Sequence, residues 1–499
     1  MAVGEQQVKA PKKEQKERKE VLIDGKLYDV TSFRHPGGCD CHREGGEGQT
    51  ETETETDPCI LTHSHTLTHS LIHTHTHTHT HTHSLTHSLT LIHHTHSLPR
   101  LFLPLTGGSV IKFLVNNGDA SDAFHQFHFR SERAKKLLNV LPSRPAPKDV
   151  MMERGGNGRE DLAKGFAKLH QDLVNEGYFD PSVTEIVYRV SELILLHVVG
   201  AYLLMNSNGS VLSLIGGILL LALGQGRCGW LMHEGGHYSM TGNTKIDLAF
   251  QIVLYGIGCG MSAGWWRSQH NRHHATPQKL HHDVDLETLP LVAFNARIAE
   301  RVRSPLIRSW LKLQHVLFMP VSCLLVSLGW QLYLHPRYML RTRKKYEALM
   351  LVIRYLAIFG LVLKDYTWGQ AIGAYLLYDA LSATYIFTNF ALSHTHLPVT
   401  EPDQFLHWVE YASDHTTNLS PSFLCDWWMG YLNYQIEHHL FPSMPQYQHP
   451  KIAGRVRKFF EEHGLKYDVR GYFSCLGDTL GNLRDVGAFA ASPAACKKD

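Results

Sequence analysis

Paired cysteines are missing from this sequence. Its nine cysteines are scattered without a CxxC pair or a regular spacing, so no disulfide framework can be read and the soluble parts are expected in a reducing cytosol. An apolar core is also missing from the first twenty residues, MAVGEQQVKAPKKEQKERKE, which read as a charged tail rather than a signal peptide. Charge is scarce overall. Charged residues make up 19% of the chain, below the roughly 25% of an average globular domain. The formal net charge of +2 is too small to imply a nucleic-acid partner. What is present is length and histidine. At 499 residues there is room for roughly three units of ~150 residues, and the 36 histidines must be divided into those that carry chemistry and those that do not.

Many of them carry none. From Cys39 to about Thr106 the composition collapses into Thr, His, Ser and Leu, and between His73 and His83 histidine alternates strictly with threonine. A histidine-rich tract can bind metal. A CA dinucleotide repeat translated in frame gives the same alternation, and this is the preferred reading. Gly37-Gly38 before the tract and Gly107-Gly108 after it would fuse into one Gly-Gly on excision. With no periodic apolar face, an insert at 39–108 is expected to be disordered.

From about Thr184 apolar stretches appear, at 187–206, 209–230, 347–364 and 368–392. Each is near the ~20 residues a bilayer-spanning helix needs, which predicts two helical hairpins. Two further stretches are interrupted: 249–266 by Gly256, Gly258, Gly260 and Gly264, and 314–333 by Pro320 and Gly329. Basic residues flank the latter on both sides, Arg297, Arg301, Arg303, Arg308 and Lys312 before it and Arg337, Arg341, Arg343, Lys344 and Lys345 after it. The positive-inside rule places both flanks in the cytosol, so 314–333 is expected to lie in the interface or to enter and return. The same parity puts the loops after 230 and after 392 on the cytosolic side.

Three histidine clusters fall in those loops: His233-Glu-Gly-Gly-His237, His270-Asn-Arg-His273-His274 and Gln435-Ile-Glu-His438-His439. Positions i, i+3 and i+4 share a helix face, so each cluster can aim its imidazoles at a common point. Neutral imidazole suits Fe, Zn, Cu and Ni, and helices that pool such ligands form two-metal sites. The first cluster also matches H-E-x-x-H, the zinc metallopeptidase helix in which Glu234 would be the general base. Against that reading, Gly235-Gly236 weakens a helix there, and a peptidase has no use for the remaining histidines. Redox chemistry on an unactivated C–H bond does, because it needs activated O₂ and electrons delivered from outside.

The order HxxxH, HxxHH, QxxHH, with WWRSQHNRHHATP around the second box and YQIEHHLFPSMP around the third, resembles the membrane fatty acid desaturases over most of 184–480. Gln435 at the head of the third box resembles the front-end subgroup, which usually carries a fused cytochrome b5 domain. The resemblance implies that His233, His237, His270, His273, His274, His438 and His439 ligate two irons, with Gln435 at or beside the metals. It also implies a further ligand near the end of the last span, for which Asn389, His394 and His396 are candidates and His394 is preferred. His281, His282 and His415 are candidates for supporting positions. VLIDGKLYDVTSFRHPGG (21–38) and SVIKFLVNNGDASDAFHQFHFR (109–130) look like the two halves of a cytochrome b5 domain. That likeness implies haem b held by His35 and His128, with His125 the alternative for the second ligand. The insert beside His35 departs from the family and bears on haem binding.

The expected fold is mainly α, a four-helix transmembrane desaturase domain with a cytosolic helical cap. A small α/β cytochrome b5-like N-terminal domain, interrupted by the disordered insert, precedes it. The expected boundaries are a tail at 1–20, the haem domain at 21–145 around insert 39–108, a linker at 146–186, the desaturase domain at 187–480 and a tail at 481–499. Trp265-Trp266 and Trp427-Trp428 beside the boxes are read as interfacial anchors, with a channel mouth as the alternative. Arg267, Arg272 and Lys279 could meet the phosphate of an acyl carrier or anionic lipid. Lys497-Lys498-Asp499 stands one position out of register for a dilysine signal. By resemblance the chain is a multi-pass endoplasmic reticulum protein with both termini cytosolic. It would take O₂, a long-chain acyl substrate on CoA or phospholipid, and electrons from cytochrome b5 reductase, and would place a cis double bond between an existing one and the carboxyl end. A sphingoid-base desaturase or acyl hydroxylase would share the boxes, and a non-catalytic haem or metal-binding membrane protein remains a further alternative.

Overall fold

The computed structural model describes residues 18–33, 111–154 and 159–492. His35, the insert 39–108 and Lys497-Lys498-Asp499 lie outside them.

The N-terminal residues form a small lobe. Strands β1 (Glu20–Ile23) and β2 (Lys26–Asp29) pair antiparallel, and β3 (Ser143–Pro145) adds to β2. Asp24 and Gly25 make the two-residue turn with φ of 50° and 71°, the doubly left-handed geometry that Asp-Gly supplies in hairpins. Helices α1 (Ser121–Phe127) and α2 (Glu132–Val140) close the lobe. Its core comprises Val21, Ile23, Tyr28, Val30 and Ala120, with Phe33, Leu114, Phe124 and Leu138 packed around them.

The stretch 146–186, expected as a linker, contains α3 (Glu160–Asn175). Leu162, Phe166, Leu169 and Leu173 recur at the helical period and are buried, a stripe that must pack against something. It packs against Phe441, Val456 and Phe460 in a core that also takes Ala123 of the lobe. Truncating Phe166 in such a core costs about 3–5 kcal/mol.

The body is helical: α4 (Val183–Met205), α5 (Val211–Gly236), α6 (Thr244–Val253), α7 (Ala263–Ala275), α8 (Gln314–Leu324), α9 (Lys345–Ala357), α10 (Trp368–Ala391), α11 (Trp408–His415), α12 (Gln435–Leu440), α13 (His449–Glu462) and α14 (Tyr472–Ala490). By length and composition α4, α5 and the rod 314–342 qualify as membrane spans, and the chain from Thr244 to Ala275, bent by 111°, is a broken span or a re-entrant loop. The rod 314–342 runs on through a π-type stretch at Leu325–Leu334. The expectation that it enters and returns therefore fails: π-type hydrogen bonding carries the backbone through Gly329 without a reversal. The second expected hairpin, α9 and α10, is not among the helices that are long and apolar enough to qualify. Its Glu347, Arg354 and Asp379 are buried, while Leu349, Val352, Leu356, Ile372, Leu376 and Leu381 are exposed. The C-terminal stretch expected as a tail from 481 is the second half of α14, which buries Leu483, Val486 and Ala490.

Candidate metal centre

Each histidine box is delivered by a helix end. His233 sits in the last turn of α5 and His237 is its C-cap residue. Gly236 belongs there because a Cβ would lie 2.4 Å from the Trp266 ring and 2.6 Å from Gln251 Nε2, so glycine lets α5 approach α7 closely. The second box lies on α7, whose N-cap Ser262 accepts from Trp265 N at 3.1 Å. The third is α12, anchored by Asn418, which accepts from Ile436 N and donates to Glu437, both at 2.8 Å; Tyr467 also donates to Glu437, at 2.6 Å. His394 follows the end of α10.

All eight histidines are at most 6% exposed. Their donor atoms form two groups: His233, His237, His270, His274 and His438 in one, and His273, His394 and His439 in the other, each within 4.8 Å. The neighbours His273-His274 and His438-His439 are thus split between groups, as successive helical side chains diverge by about 100°. The rings of His274 and His439 stack at 4.3 Å, so the groups lie back to back.

In the first group the Nε2 atoms of His237, His270, His274 and His438 follow one another at 3.0 Å. Two nitrogens bound at right angles to one ion at ~2.1 Å stand roughly 3.0 Å apart, so the spacing suits a shared cation. In the second group Asp283 holds His273 Nδ1 at 2.9 Å, leaving His273 Nε2 buried without a partner. His394 Nδ1 donates to the His415 carbonyl at 2.8 Å, and the Gln446 amide sits 2.8 Å from His233 Nδ1. Such outer partners set ring orientation and tautomer, leaving the other nitrogen for a metal. Burial pushes His438 and His439 well below the usual histidine range and His394 to about 3. These three rings are neutral and offer lone pairs, whereas against its burial His273 is drawn up to about 9 by Asp283 and Asp285; eight imidazoles are a donor set that fits two iron ions. Gln435 is buried on α12 and hydrogen-bonds His394.

Other candidates are placed elsewhere. Asn389 is engaged by Tyr385 and Tyr472, and His396 belongs to neither group. His281 is exposed, whereas His415 supports His394 through its carbonyl. Glu234 is buried in an ion pair with Arg189 at 2.5 Å, so it is not the free general base a zinc peptidase needs. Trp266 is buried and stacks on His270 at 4.2 Å, and Trp265 lines the cavity described below; neither is the anchor expected, because the bend before α7 turns both rings inward. Trp427 donates to Glu192 at 2.7 Å. Arg267 and Lys279 are fully buried, on Gln251 and on the Gln404 carbonyl. In the lobe His125 pairs with Asp24 at 3.0 Å at the surface, while His128 lines a cavity. Sequence reasoning missed Asp283, Gln446, Arg189 and the buried His449, whose ring lies 6.0 Å from that of His438. Only proximity to the boxes hinted at them.

A cavity of about 470 Å³ reaches His233, His270, His273 and His394. Its walls include Tyr255, Met261, Trp330, Phe387 and Phe390, an apolar lining of the kind that buries a chain-like ligand.

A sequence model of the fatty acid desaturase family matches residues 209–471. The chain is 56% identical over 380 residues to an acyl-lipid (8-3)-desaturase of Rebecca salina, covering 76% of this chain and 87% of that protein. It is 46% identical over 389 residues to an acyl-lipid (8-3)-desaturase of Thraustochytrium sp, covering 76% and 88%. Against fatty acid desaturase 3 of Homo sapiens identity is 27% over 373 residues, covering 74% and 82%. A match over 380 residues is longer than the whole stretch from 187 to 499, so it reaches into the N-terminal part as well.

Proposed function

The chain belongs to the fatty acid desaturase family, and from that premise we propose that it is a front-end fatty acyl desaturase of the acyl-lipid type that its two algal and thraustochytrid relatives are named for. One observation carries the reading: three boxes far apart in sequence converge with His394 on two buried groups, and four of those rings open onto an apolar cavity. In the net reaction adjacent methylenes become a cis double bond while O₂, two electrons and two protons are consumed and two waters leave. Two irons held by the eight histidines would supply the O₂ activation that an unreactive C–H bond requires. The chain's own residues do the positioning. Asp283, His415 and Gln446 orient the rings, Trp266 packs against His270, and the aromatic walls hold the acyl chain away from water.

Haem b is the cofactor proposed for the lobe. A cavity of about 170 Å³ there is lined by Val21, Tyr28, Val30, Leu114, Phe124 and His128, an apolar slot with one imidazole donor; His35 would be the other ligand. The proposed spans are α4, α5, the helix 345–362 and α10, since Glu347, Arg354 and Asp379 of the last two are buried and their exposed stripes are apolar, with the rod 314–342 lying in the interface. On this proposal the centre would face the cytosol from the endoplasmic reticulum membrane, with both termini on that side and cytochrome b5 reductase as the electron source.

Expression in desaturase-deficient yeast, with and without residues 39–108, tests the reading. Fatty acids are analysed after feeding polyunsaturated precursors. A new double bond on the carboxyl side of an existing one is expected, and it should be lost in His438→Ala. Hydroxylated or sphingoid products, or none with reductase and protein present, would overturn it.

A further inference from the structure

We infer that Phe127 is the side chain that couples the N-terminal lobe electronically to the metal centre. The inference rests on the reading of the lobe as a haem domain. Phe127 and His128 are consecutive at the end of α1, and both line the lobe cavity. From that position the Phe127 ring reaches the histidine cluster. Its centroid lies 6.5 Å from that of His274 in an edge arrangement, and 5.7 Å from that of Trp408. The same cavity is also lined by Tyr238 and Asn271, the residues that follow His237 and His270. The lobe cavity and the first histidine group therefore share a wall, and Phe127 belongs to that wall and touches a ring of the group.

The contact is fixed by its surroundings. Ser443 Oγ donates to the Gln126 carbonyl at 2.9 Å, His407 pairs with Asp122 at 3.2 Å, and Arg130 donates to the Phe179 carbonyl. These bonds fall on both sides of Phe127 and seat α1 on the body. Ala123 of the same helix is buried in a core with Trp408, Leu440 and Phe441. An electron crossing from the lobe meets packed atoms rather than a gap. With haem and iron bound, each crossing would take one electron from the lobe and deliver one to the metal centre. Two crossings serve one double bond, the reductase restores the lobe, and the two protons come from water.

The test uses the purified full-length chain in lipid nanodiscs, with variants Phe127→Ala, Phe127→Leu and Phe127→Tyr. Haem per chain and its midpoint potential are measured first, from the Soret band. The haem is then reduced, and its reoxidation on mixing with O₂ and lipid substrate is followed. Haem content and potential are expected to stay at wild-type values. Reoxidation should slow about tenfold in Phe127→Ala, by a smaller factor in Phe127→Leu, and recover in Phe127→Tyr, where tenfold corresponds to ~1.4 kcal/mol of barrier. If the alanine variant undocks the lobe, seen as new protease cleavage between 146 and 159, the leucine variant decides, because it keeps an apolar side chain at the contact. Full haem with unchanged reoxidation in the leucine variant and a docked alanine variant overturns the coupling role and leaves the haem reading standing. Absence of a Soret band in the wild-type chain overturns the haem reading, and the coupling role with it.

Discussion

The two histidine groups differ in what surrounds them. The first has five imidazoles drawn from all three boxes, with Nε2 atoms spaced at 3.0 Å and no carboxylate among its members. The second has three, from boxes two and three and from the loop after α10, and Asp283 and Asp285 lie 2.9 and 3.4 Å from His273 Nδ1. One group is rich in rings and electrically neutral. The other has fewer rings and a carboxylate to strengthen one of them. A carboxylate hydrogen-bonded to a ligating imidazole raises its basicity and fixes its tautomer, so Asp283 compensates for ligand number. The first group should hold its metal through ligand count and the second through this outer support.

Substitutions can break that comparison. The largest effect is expected from His438→Ala and His439→Ala, adjacent residues serving different groups. Each should remove product beyond the ~10–100-fold that loss of an outer partner costs, and each should lower bound iron to about half. Iron analysis and product yield check this, and an active His439→Ala enzyme would show that the second group is not a metal site. Next comes Asp283→Asn, which keeps the size but weakens the hold on His273 Nδ1. Activity should fall about 10–100-fold with selective loss of one iron, whereas Gln446→Leu beside the five-membered group should cost at most ~10-fold. Equal losses would mean that ligand number does not matter. Graded chelation should then release iron in two phases, the second group emptying first, and Asp283→Asn should quicken only the early phase. Smallest of all is His396→Ala, whose half-buried ring belongs to neither group; stability should change by under ~1 kcal/mol and iron not at all.

Much of this centre was legible from spacing alone. The i, i+3, i+4 pattern made His270, His273, His274 and Gln435, His438, His439 ligand candidates, and all of them lie at or beside the two groups. The division of each His-His pair between groups was not legible, because adjacency in sequence carries no information about which of two facing sites a ring enters. Among Asn389, His394 and His396, only the turn after α10 separates the ring that points at His273 and His439 from its neighbours. Asp283 escaped notice because a lone aspartate in a loop has no periodicity to betray it. The helix at 160–175 carries an apolar stripe within a stretch expected as a linker; what it packs against, Phe441 and Phe460, lies far along the chain.

By itself, then, the sequence determined class and candidates: which residue types could ligate, that they come in three boxes, that apolar helices carry them, and that a histidine–threonine tract stands apart. These are local properties, set by composition and helical period. Tertiary structure decided grouping and support. It assigned five rings to one site and three to another, turned Glu234 onto Arg189 and Trp266 onto His270, and seated α1 of the lobe against His274. Those outcomes depend on contacts between residues far apart in sequence, such as Ser443 with Gln126, 317 positions away. Packing of whole helices fixes such distances, and no window of sequence contains them.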